Sequence, residues 1–274
     1  MNTSIYTEIS GGVCAAEGFK AYGIHAGMRK NAAKLDLAMI VADDVCNAAG
    51  VFTRNKVFAA PVGVTRSHLA DGKAQAVICN SGNANACTPD GYETANATCK
   101  AVAEALNIEE NNVIVASTGV IGVSLNTEPI FKGIPVLLEK LDGTAEGSDK
   151  AALAIMTTDT KKKEFAFSCT IGGKTVHIGG ICKGSGMIHP NMGTMLCFLT
   201  TDCAVASDVL DTALRAAIDD TFNMVTVDGD TSTNDTVTVL ASGKAGNAEI
   251  TKAEGEDYAV FAGALKLLCY KLAT

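Results

Sequence analysis

A glycine-rich segment, residues 179–194, ends at Gly193–Thr194 and runs directly into the apolar segment Met195–Leu199. An unbroken apolar run of this length is typical of a buried strand, so the chain must turn within the glycines that precede it. Glycine adopts strained backbone conformations at little steric cost, and here a hydroxyl-bearing residue follows it. The pattern therefore indicates a peptide bond that the Thr194 hydroxyl attacks and breaks. A Gly-Thr pair that merely joins a loop to a strand is the alternative.

Cleavage at this bond would divide the chain into residues 1–193 and 194–274, which is the only boundary that we predict. Residue 194 would then carry a free α-amine next to its hydroxyl. An α-amine has a pKa of about 7.7–8.0, so near neutral pH it can take the proton of that hydroxyl. Thr194 is therefore our candidate nucleophile, and it needs no separate histidine as a base.

Composition limits the class of protein. The 274 residues are 47% hydrophobic, enough for a substantial core in one domain or in two closely packed ones. The net charge is −8, and the longest basic run is Lys161–Lys163, which argues against binding to nucleic acid or to anionic membranes. The N-terminus lacks the pattern of a signal peptide, and no apolar run is long enough to span a bilayer. We therefore expect a soluble, cytoplasmic protein.

Metal, nucleotide and disulfide chemistry are not expected. The ten cysteines form no Cys-x-x-Cys pair, and several lie in apolar runs, as Cys79 does, which is typical of small core residues in a reducing compartment. The segment Asp228–Asn234 resembles a calcium loop but lacks the glycine and the glutamate that such a loop requires, so it predicts a turn that side-chain-to-backbone hydrogen bonds stabilise and that supports the site. The segment Gly172–Thr175 resembles the end of a phosphate-binding loop, but it lies between two strand-like runs and predicts a hairpin turn instead.

Strand-like and helical segments alternate along the chain. Runs of β-branched and apolar residues predict strands at Leu37–Val41, Val62–Val64, Ala76–Cys79, Val113–Ala116, Phe165–Cys169 and Thr236–Leu240. Helical spacing predicts helices from about Ser207, from about Gly255, and between Gly91 and Asn107. The helix from Gly255 carries an apolar stripe that needs a packing partner, consisting of Phe261, Leu265, Leu268 and Leu272. This mixture predicts an α/β or α+β layered architecture but not its topology.

Seven motifs together resemble those of one enzyme family. They are Gly18–Lys20, Gly23–Gly27, Asn80–Cys87, Ser117–Gly122, Ala154–Thr160, Ile178–Thr194 and Thr226–Asp235. In this order, and over nearly the whole chain, they are similar to the motifs of the arginine-biosynthesis glutamate N-acetyltransferase family, also called ornithine acetyltransferase. The resemblance implies an αββα-type sandwich related to the DmpA aminopeptidases. It also implies self-cleavage into two chains.

The resemblance suggests roles for residues whose local sequence alone predicts only turns or loops. Thr118 and Gly119, which follow a strand-like run, would form the oxyanion hole. Lys183 would line the acyl-substrate site, where its charge suits a substrate carboxylate, although a lone lysine among glycines is more often solvated. Thr157 is the first choice for a further substrate contact and Thr158 the second.

The reaction implied by the resemblance is acetyl transfer from N-acetyl-ornithine to glutamate through an acetyl group carried by Thr194, within arginine biosynthesis. Thr194 would thus be a substrate-binding residue as well as the nucleophile. No cofactor is expected, but some family members also use acetyl-coenzyme A, and no motif separates the two kinds. The cleaved α and β chains are expected to associate, as a heterotetramer, with no nucleic-acid or membrane partner.

Two alternatives remain. A DmpA-like N-terminal-nucleophile aminopeptidase would share the cleavage and the acyl-enzyme but would pass the acyl group to water. A shortened, inactive member of the family would keep only the fold. The second alternative arises because family members continue beyond the segment Leu267–Thr274, with a substrate-contacting glutamate, an asparagine and a threonine that no position here matches. Without that further part, we expect the apolar stripe of the last helix to be exposed.

Overall fold

The computed structural model describes residues 3–184, 195–226 and 228–274, so the predicted cleavage site at Gly193–Thr194 lies outside the described residues. The strands and helices, in chain order, are β1 (Thr7–Ile9), β2 (Phe19–Ile24), β3 (Leu37–Phe52), α1 (Ala60–His68), β4 (Lys73–Asn83), α2 (Gly91–Leu106), β5 (Val113–Val120), α3 (Glu128–Lys140), α4 (Ala145–Ile155), β6 (Lys163–Ile171), β7 (Lys174–Lys183), β8 (Leu196–Thr201), α5 (Ser207–Asp219), β9 (Thr236–Ala241) and α6 (Glu256–Ala273). Short 3₁₀ turns lie at Thr3–Ile5, Gly12–Cys14, Leu69–Asp71, Glu110–Asn112 and Phe222–Met224.

The strands in the described part of the chain form one hydrogen-bonded sheet in the order β1-β6-β7-β8-β9-β3-β4-β5, and β2 pairs with β3 outside this path. The pairs β4–β5 and β8–β9 are parallel, and the other pairs are antiparallel. Parallel neighbours require a crossover connection, which α2 supplies between β4 and β5 and α5 supplies between β8 and β9. A β-α-β unit therefore lies on each side of β3.

Strand β3 belongs to both halves of this sheet. Its first part, Leu37–Val41, pairs with β2 and β4, and its second part, Asn47–Phe52, pairs with β9. The register with β4 shifts between Val41 and Cys46, and an irregularity of this kind bends a strand. One half of the sheet thus contains β2, β4 and β5, and the other contains β1 and β6 to β9.

Alternating side chains show how the two halves pack. On β4, Val77 lies in a central apolar layer while Ile78 faces an outer layer with α2 and α3. On β8, Phe198 lies in the same central layer while Leu199 faces a second outer layer with α5 and α6. Helix α4 also contributes to the central layer. The resulting order of helix, sheet, sheet and helix is the αββα sandwich that we predicted.

Most of the predicted elements are confirmed. The predicted strands within β3, β4, β5, β6 and β9, the helices α2, α5 and α6, and the hairpin turn between β6 and β7 are all present. The strand predicted at Val62–Val64 is wrong, because these residues lie in α1. Three residues are too few to show a periodicity, and Pro61 in the first turn suits a helix start because proline has no N–H to leave unpaired there.

The expected exposure of the last helix is also wrong. Its stripe residues Phe261, Leu265, Leu268 and Leu272 are each no more than 1% exposed. They lie in the outer apolar layer, where α6 packs against α5 and against β6 and β7. The packing partner that the stripe requires is therefore supplied within this chain.

Candidate active site

Several strand and helix ends meet around a cavity of about 600 Å³. Lys183 ends β7, Thr118 and Gly119 lie near the end of β5, and Thr157 and Thr158 follow α4. All five line this cavity, so the structure brings together every predicted site residue that it describes. The remaining lining residues, which the sequence reasoning did not place in the site, are Arg29, Lys34, Gly82, Ala84, Val120, Ile121, Asp228, Ser232, Thr233 and Asn234.

A larger cavity of about 760 Å³ lies between β3, α1 and α5. None of the predicted site residues that the structure describes lines it. Within it, the Arg66 guanidinium lies over the rings of Phe52 and Phe58, at 5.5 and 5.0 Å from their centroids, and these aromatic contacts engage its charge. Because the predicted site residues converge on the smaller cavity, it is the candidate active site.

A tight backbone approach shapes the end of the cavity where the oxyanion hole is predicted. Gly119 on β5 pairs with Gly82 on the parallel strand β4, and both have a positive φ, +136° and +118°. A Cβ atom on Gly119 would lie 2.3 Å from the Gly82 carbonyl carbon, closer than any real contact. The Asn234 side-chain amide donates to the carbonyl oxygens of Ala84 and Ser117, at 2.7 and 2.8 Å. The end of β5 that carries Thr118 is thus fixed by its pairing with β4 and by hydrogen bonds from the loop before β9.

Replacement of Gly119 by alanine should destabilise the protein strongly, since the new Cβ adds steric overlap to backbone strain. We expect the free energy of unfolding to fall by about 2–5 kcal/mol. Gly122→Ala is the matched control, because Gly122 also has a positive φ but has no atom within 4 Å of its Cβ position. It should cost only about 1 kcal/mol. Urea denaturation of both variants measures the difference, and equal losses would contradict the close approach at Gly119.

Lys183 is buried, so the solvated alternative for this residue is wrong. Its relative exposure is 4%, and its Nζ donates to the Thr118 Oγ1 at 3.0 Å, across 65 residues of chain. Burial lowers the pKa of Lys183, while the carboxylates of Asp159 and Asp235 oppose this change. The Lys183 ammonium therefore lies directly beside the predicted oxyanion residue.

This contact determines the direction in which Thr118 can donate. A hydroxyl has one donor and two acceptor positions, whereas a lysine ammonium has donors only. Because Lys183 occupies an acceptor position of the Thr118 Oγ1, the hydroxyl proton of Thr118 remains for a group in the cavity. Thr118 can therefore donate to a carbonyl oxygen or an oxyanion, with a positive charge immediately behind it.

Asp159 links the loop after α4 to the end of β7. Its two carboxylate oxygens accept from the backbone N–H groups of Thr157, at 3.0 Å, and of Gly184, at 2.6 Å. Burial alone would raise the pKa of Asp159, but these two N–H groups and the charges of Lys183 and Lys163 bring it below its usual value. Asp159 thus positions Thr157 next to the strand that carries Lys183. The sequence signal that could have identified Asp159 is its place in the Thr-Thr-Asp-Thr motif.

Asp235, directly before β9, is a second carboxylate that sequence reasoning did not identify. It is fully buried, and its Oδ1 accepts from the Met195 backbone N–H at 2.9 Å. Burial raises the pKa of Asp235 to about 8, although the Met195 N–H, the Ser232 hydroxyl and the Lys183 charge favour ionisation. Asp235 therefore holds the residue that follows Thr194 in the sequence.

The raised pKa of Asp235 should make stability depend on pH. The folded protein keeps this proton up to about pH 8, whereas an unfolded aspartate loses it near pH 3.8, so stability falls as the pH rises through this window. We expect the free energy of unfolding of Thr194→Ala, minus that of Thr194→Ala/Asp235→Asn, to decrease by at most about 1.4 kcal/mol per pH unit. The shared Thr194→Ala change removes the proposed nucleophile from both proteins. Urea denaturation between pH 4 and 9 tests this, and a constant difference would contradict it.

The loop before β9 is stabilised by hydrogen bonds between side chains and backbone, as we predicted for Asp228–Asn234. The Ser232 hydroxyl accepts from the Asn234 N–H at 3.0 Å, and Thr233 donates to the Asn234 side chain at 2.6 Å. In residues 3–184, 195–226 and 228–274, no group of three or more His, Cys, Asp and Glu side chains could hold a metal ion. In the same ranges, no helix has the length and hydropathy needed to cross a membrane.

Fold and site together define a class of αββα proteins with a polar cavity at the ends of the strands. The sequence profile of the ArgJ family matches residues 20–274. The chain therefore belongs to the ArgJ family.

Relatives with known names support this assignment. The arginine biosynthesis bifunctional protein ArgJ of Symbiobacterium thermophilum is 51% identical over 97% of this chain and 66% of its own length. The protein of the same name from Gloeobacter violaceus is 48% identical over 97% of this chain and 65% of its own length. The chain thus spans about two thirds of the length of these relatives.

Solved structures agree with the fold. A crystal structure of the ArgJ protein of Bacillus halodurans matches with 42% identity and a TM-score of 0.65, over 70% of this chain and 98% of the solved one. The ornithine acetyltransferase of Mycobacterium tuberculosis in complex with ornithine matches with 36% identity and a TM-score of 0.62, over 70% of this chain and all of the solved one. A β-aminopeptidase of Burkholderia shares the fold alone, with 10% identity, a TM-score of 0.56, and 97% of this chain and 87% of its own covered.

Proposed function

We propose that this chain carries the catalytic centre of a self-cleaving N-terminal-threonine acetyltransferase of arginine biosynthesis. It would move an acetyl group from N-acetyl-ornithine to glutamate through an acetyl ester on Thr194. The observation that carries the proposal is the contact between Lys183 and Thr118 in a cavity that Gly119, Thr157 and Thr158 also line. The names of the relatives, and the ornithine bound to the Mycobacterium tuberculosis protein, support the substrate class.

The first step is cleavage of the chain. The Thr194 hydroxyl attacks the carbonyl carbon of Gly193, the peptide C–N bond breaks, and water hydrolyses the resulting ester to leave a free α-amine on Thr194.

Acetyl transfer then follows in two halves. The Thr194 hydroxyl attacks the acetyl carbon of N-acetyl-ornithine, its proton goes to the Thr194 α-amine, and ornithine leaves with that proton on its nitrogen. The amine of glutamate next attacks the acetyl ester and releases the Thr194 hydroxyl. In both halves the Thr118 hydroxyl and the Gly119 N–H would hold the oxyanion, with the charge of Lys183 behind Thr118.

The family resemblance also suggests the cofactor use, the assembly and the location of the protein. No cofactor takes part, and acetyl-coenzyme A would act only as a second acetyl donor to the same threonine. The cleaved α and β chains would stay associated, as a heterotetramer in the cytoplasm.

The proposal is tested by incubating the whole protein with N-acetyl-ornithine and glutamate and measuring ornithine and N-acetyl-glutamate by mass spectrometry. We expect the two products in equal amounts, with little free acetate. Parallel reactions with acetyl-coenzyme A and with short peptides show whether it accepts another donor or hydrolyses amides. Release of acetate or amino acids without N-acetyl-glutamate would replace the transferase by a hydrolase of the DmpA kind. If none of these mixtures yields a product, the protein is an inactive member of the family.

A further inference from the structure

Arg29 enters the cavity from a loop that the sequence reasoning passed over. The residue is half-buried, and its guanidinium Nη2 donates to the carbonyl oxygen of Met156, the residue directly before Thr157. Its side-chain stem lies against the end of β4, where a Cβ on Gly82 would be 3.4 Å from the Arg29 Cγ. Arg29 is therefore held against two of the segments that form the cavity wall.

Asp36 orders the loop that carries Arg29. Its carboxylate is fully buried and accepts from the backbone N–H groups of Ala26, at 2.6 Å, and of Arg29, at 3.0 Å. The His25 ring nitrogen Nδ1 lies 3.0 Å from the same carboxylate. A buried carboxylate with several partners fixes the backbone around it, so the position of Arg29 does not depend on a ligand.

Three cationic side chains line the cavity, namely Arg29, Lys34 and Lys183, against one carboxylate, Asp228, among the described lining residues. Outside that lining, the carboxylates of Asp36 and Asp159 lie near the charge of Arg29. Lys183 is engaged with Thr118, and Lys34 is exposed at the rim. An arginine guanidinium has five N–H donors in a planar fork that matches a carboxylate, and the bond to Met156 uses one of them.

The chemistry of the two substrates indicates which anion this is. N-acetyl-ornithine and glutamate carry side chains of opposite charge, but both have a carboxylate on the carbon that bears the reacting nitrogen. A single site that accepts both in turn can recognise each of them through this common part. The contact of Arg29 with the carbonyl oxygen of Met156 places the guanidinium next to Thr157, a predicted substrate contact.

Building on the proposed function, we infer that Arg29 binds the α-carboxylate shared by the acetyl donor and the acetyl acceptor. Arg29 thereby sets the orientation of the α-nitrogen toward Thr118 and Thr194. Lys183 remains free to support Thr118 at the oxyanion.

The test compares Arg29→Met, Arg29→Lys and Lys30→Met with the unaltered protein, using N-acetyl-ornithine and N-acetyl-1,4-diaminobutane, which is the same donor without its carboxylate. We expect Arg29→Met to raise KM for N-acetyl-ornithine about 30- to 100-fold with kcat changed less than about threefold. With the decarboxylated donor, the same variant should match the unaltered protein within about threefold. For N-acetyl-ornithine, the KM of Arg29→Lys should lie between those of Arg29→Met and the unaltered protein. Lys30 is an exposed neighbour on the same loop, and Lys30→Met should leave KM unchanged for both donors.

An equal loss by Arg29→Met on both donors would overturn the inference, because it would mean that Arg29 only supports the loop. Calorimetric titration with ornithine separates this result from failure of the proposed reaction. If no acetyl transfer occurs but ornithine binds to the unaltered protein at least tenfold more tightly than to Arg29→Met, the inference stands and the reaction does not. If ornithine binds equally to both proteins or to neither, the inference is wrong.

Discussion

The Thr194→Ala protein is expected to remain one intact chain, whereas the unaltered protein separates on denaturing electrophoresis into two fragments that meet at Gly193–Thr194. Alanine keeps the backbone but removes the hydroxyl that attacks the Gly193 carbonyl, so no ester forms and no bond breaks. The expected effect is therefore all or none. Intact mass and N-terminal sequencing of the smaller fragment measure it.

Thr194→Ser is the matched control, because serine retains the hydroxyl and should retain part of the cleavage. Asp235→Asn is a second control and should still be cleaved. Its amide oxygen can accept from the Met195 N–H as the carboxylate does, and the Thr194 hydroxyl is retained. A fragment that begins at any residue other than Thr194 would reject this bond as the cleavage site. Cleavage of the Thr194→Ala protein at the same bond would reject Thr194 as its nucleophile.

The Thr118→Ala protein, once it has been shown to cleave normally, should transfer acetyl groups with kcat lowered on the order of 10²–10³-fold. This is the usual consequence of removing one oxyanion donor. Thr118→Ser retains the hydroxyl and should lose much less. Unchanged turnover in Thr118→Ala would remove this residue from the chemical step.

The contact between Lys183 and Thr118 changes what we expect for the lysine. From the sequence, Lys183 would act mainly in binding a substrate carboxylate, so Lys183→Ala would raise KM more than it lowers kcat. Because the Lys183 Nζ donates to the Thr118 Oγ1, we now expect Lys183→Ala to lower kcat as well. The double variant Thr118→Ala/Lys183→Ala should be little worse than Thr118→Ala alone, since the two residues act as a unit. Additive losses would mean that the two side chains act separately.

Local sequence was sufficient wherever a pattern was long enough to carry a period or a burial signal. The run Met195–Leu199 predicted the buried strand β8, and helical spacing from about Gly255 predicted α6, although the apolar stripe of that helix was expected to be exposed and is buried. Prediction from local sequence failed at Val62–Val64, because three β-branched and small residues carry no period, and helix α1 forms there instead. Motif order also indicated Thr118, Gly119, Thr157, Thr158 and Lys183 as site residues, each within its own segment.

The sequence by itself determined most of the elements, the layered class of the fold and five of the residues that line the cavity. Only the tertiary structure decided which of them touch, because those contacts depend on strand order and register across the sheet. The pairing of β4 with β5, and of β8 with both β7 and β9, brings the Lys183 ammonium to Thr118 and the Asp235 carboxylate to Met195. Arg29 lies at the cavity because the buried carboxylate of Asp36 accepts from its backbone N–H and holds its loop there. Contacts between distant segments leave no local period, so no motif could have indicated them.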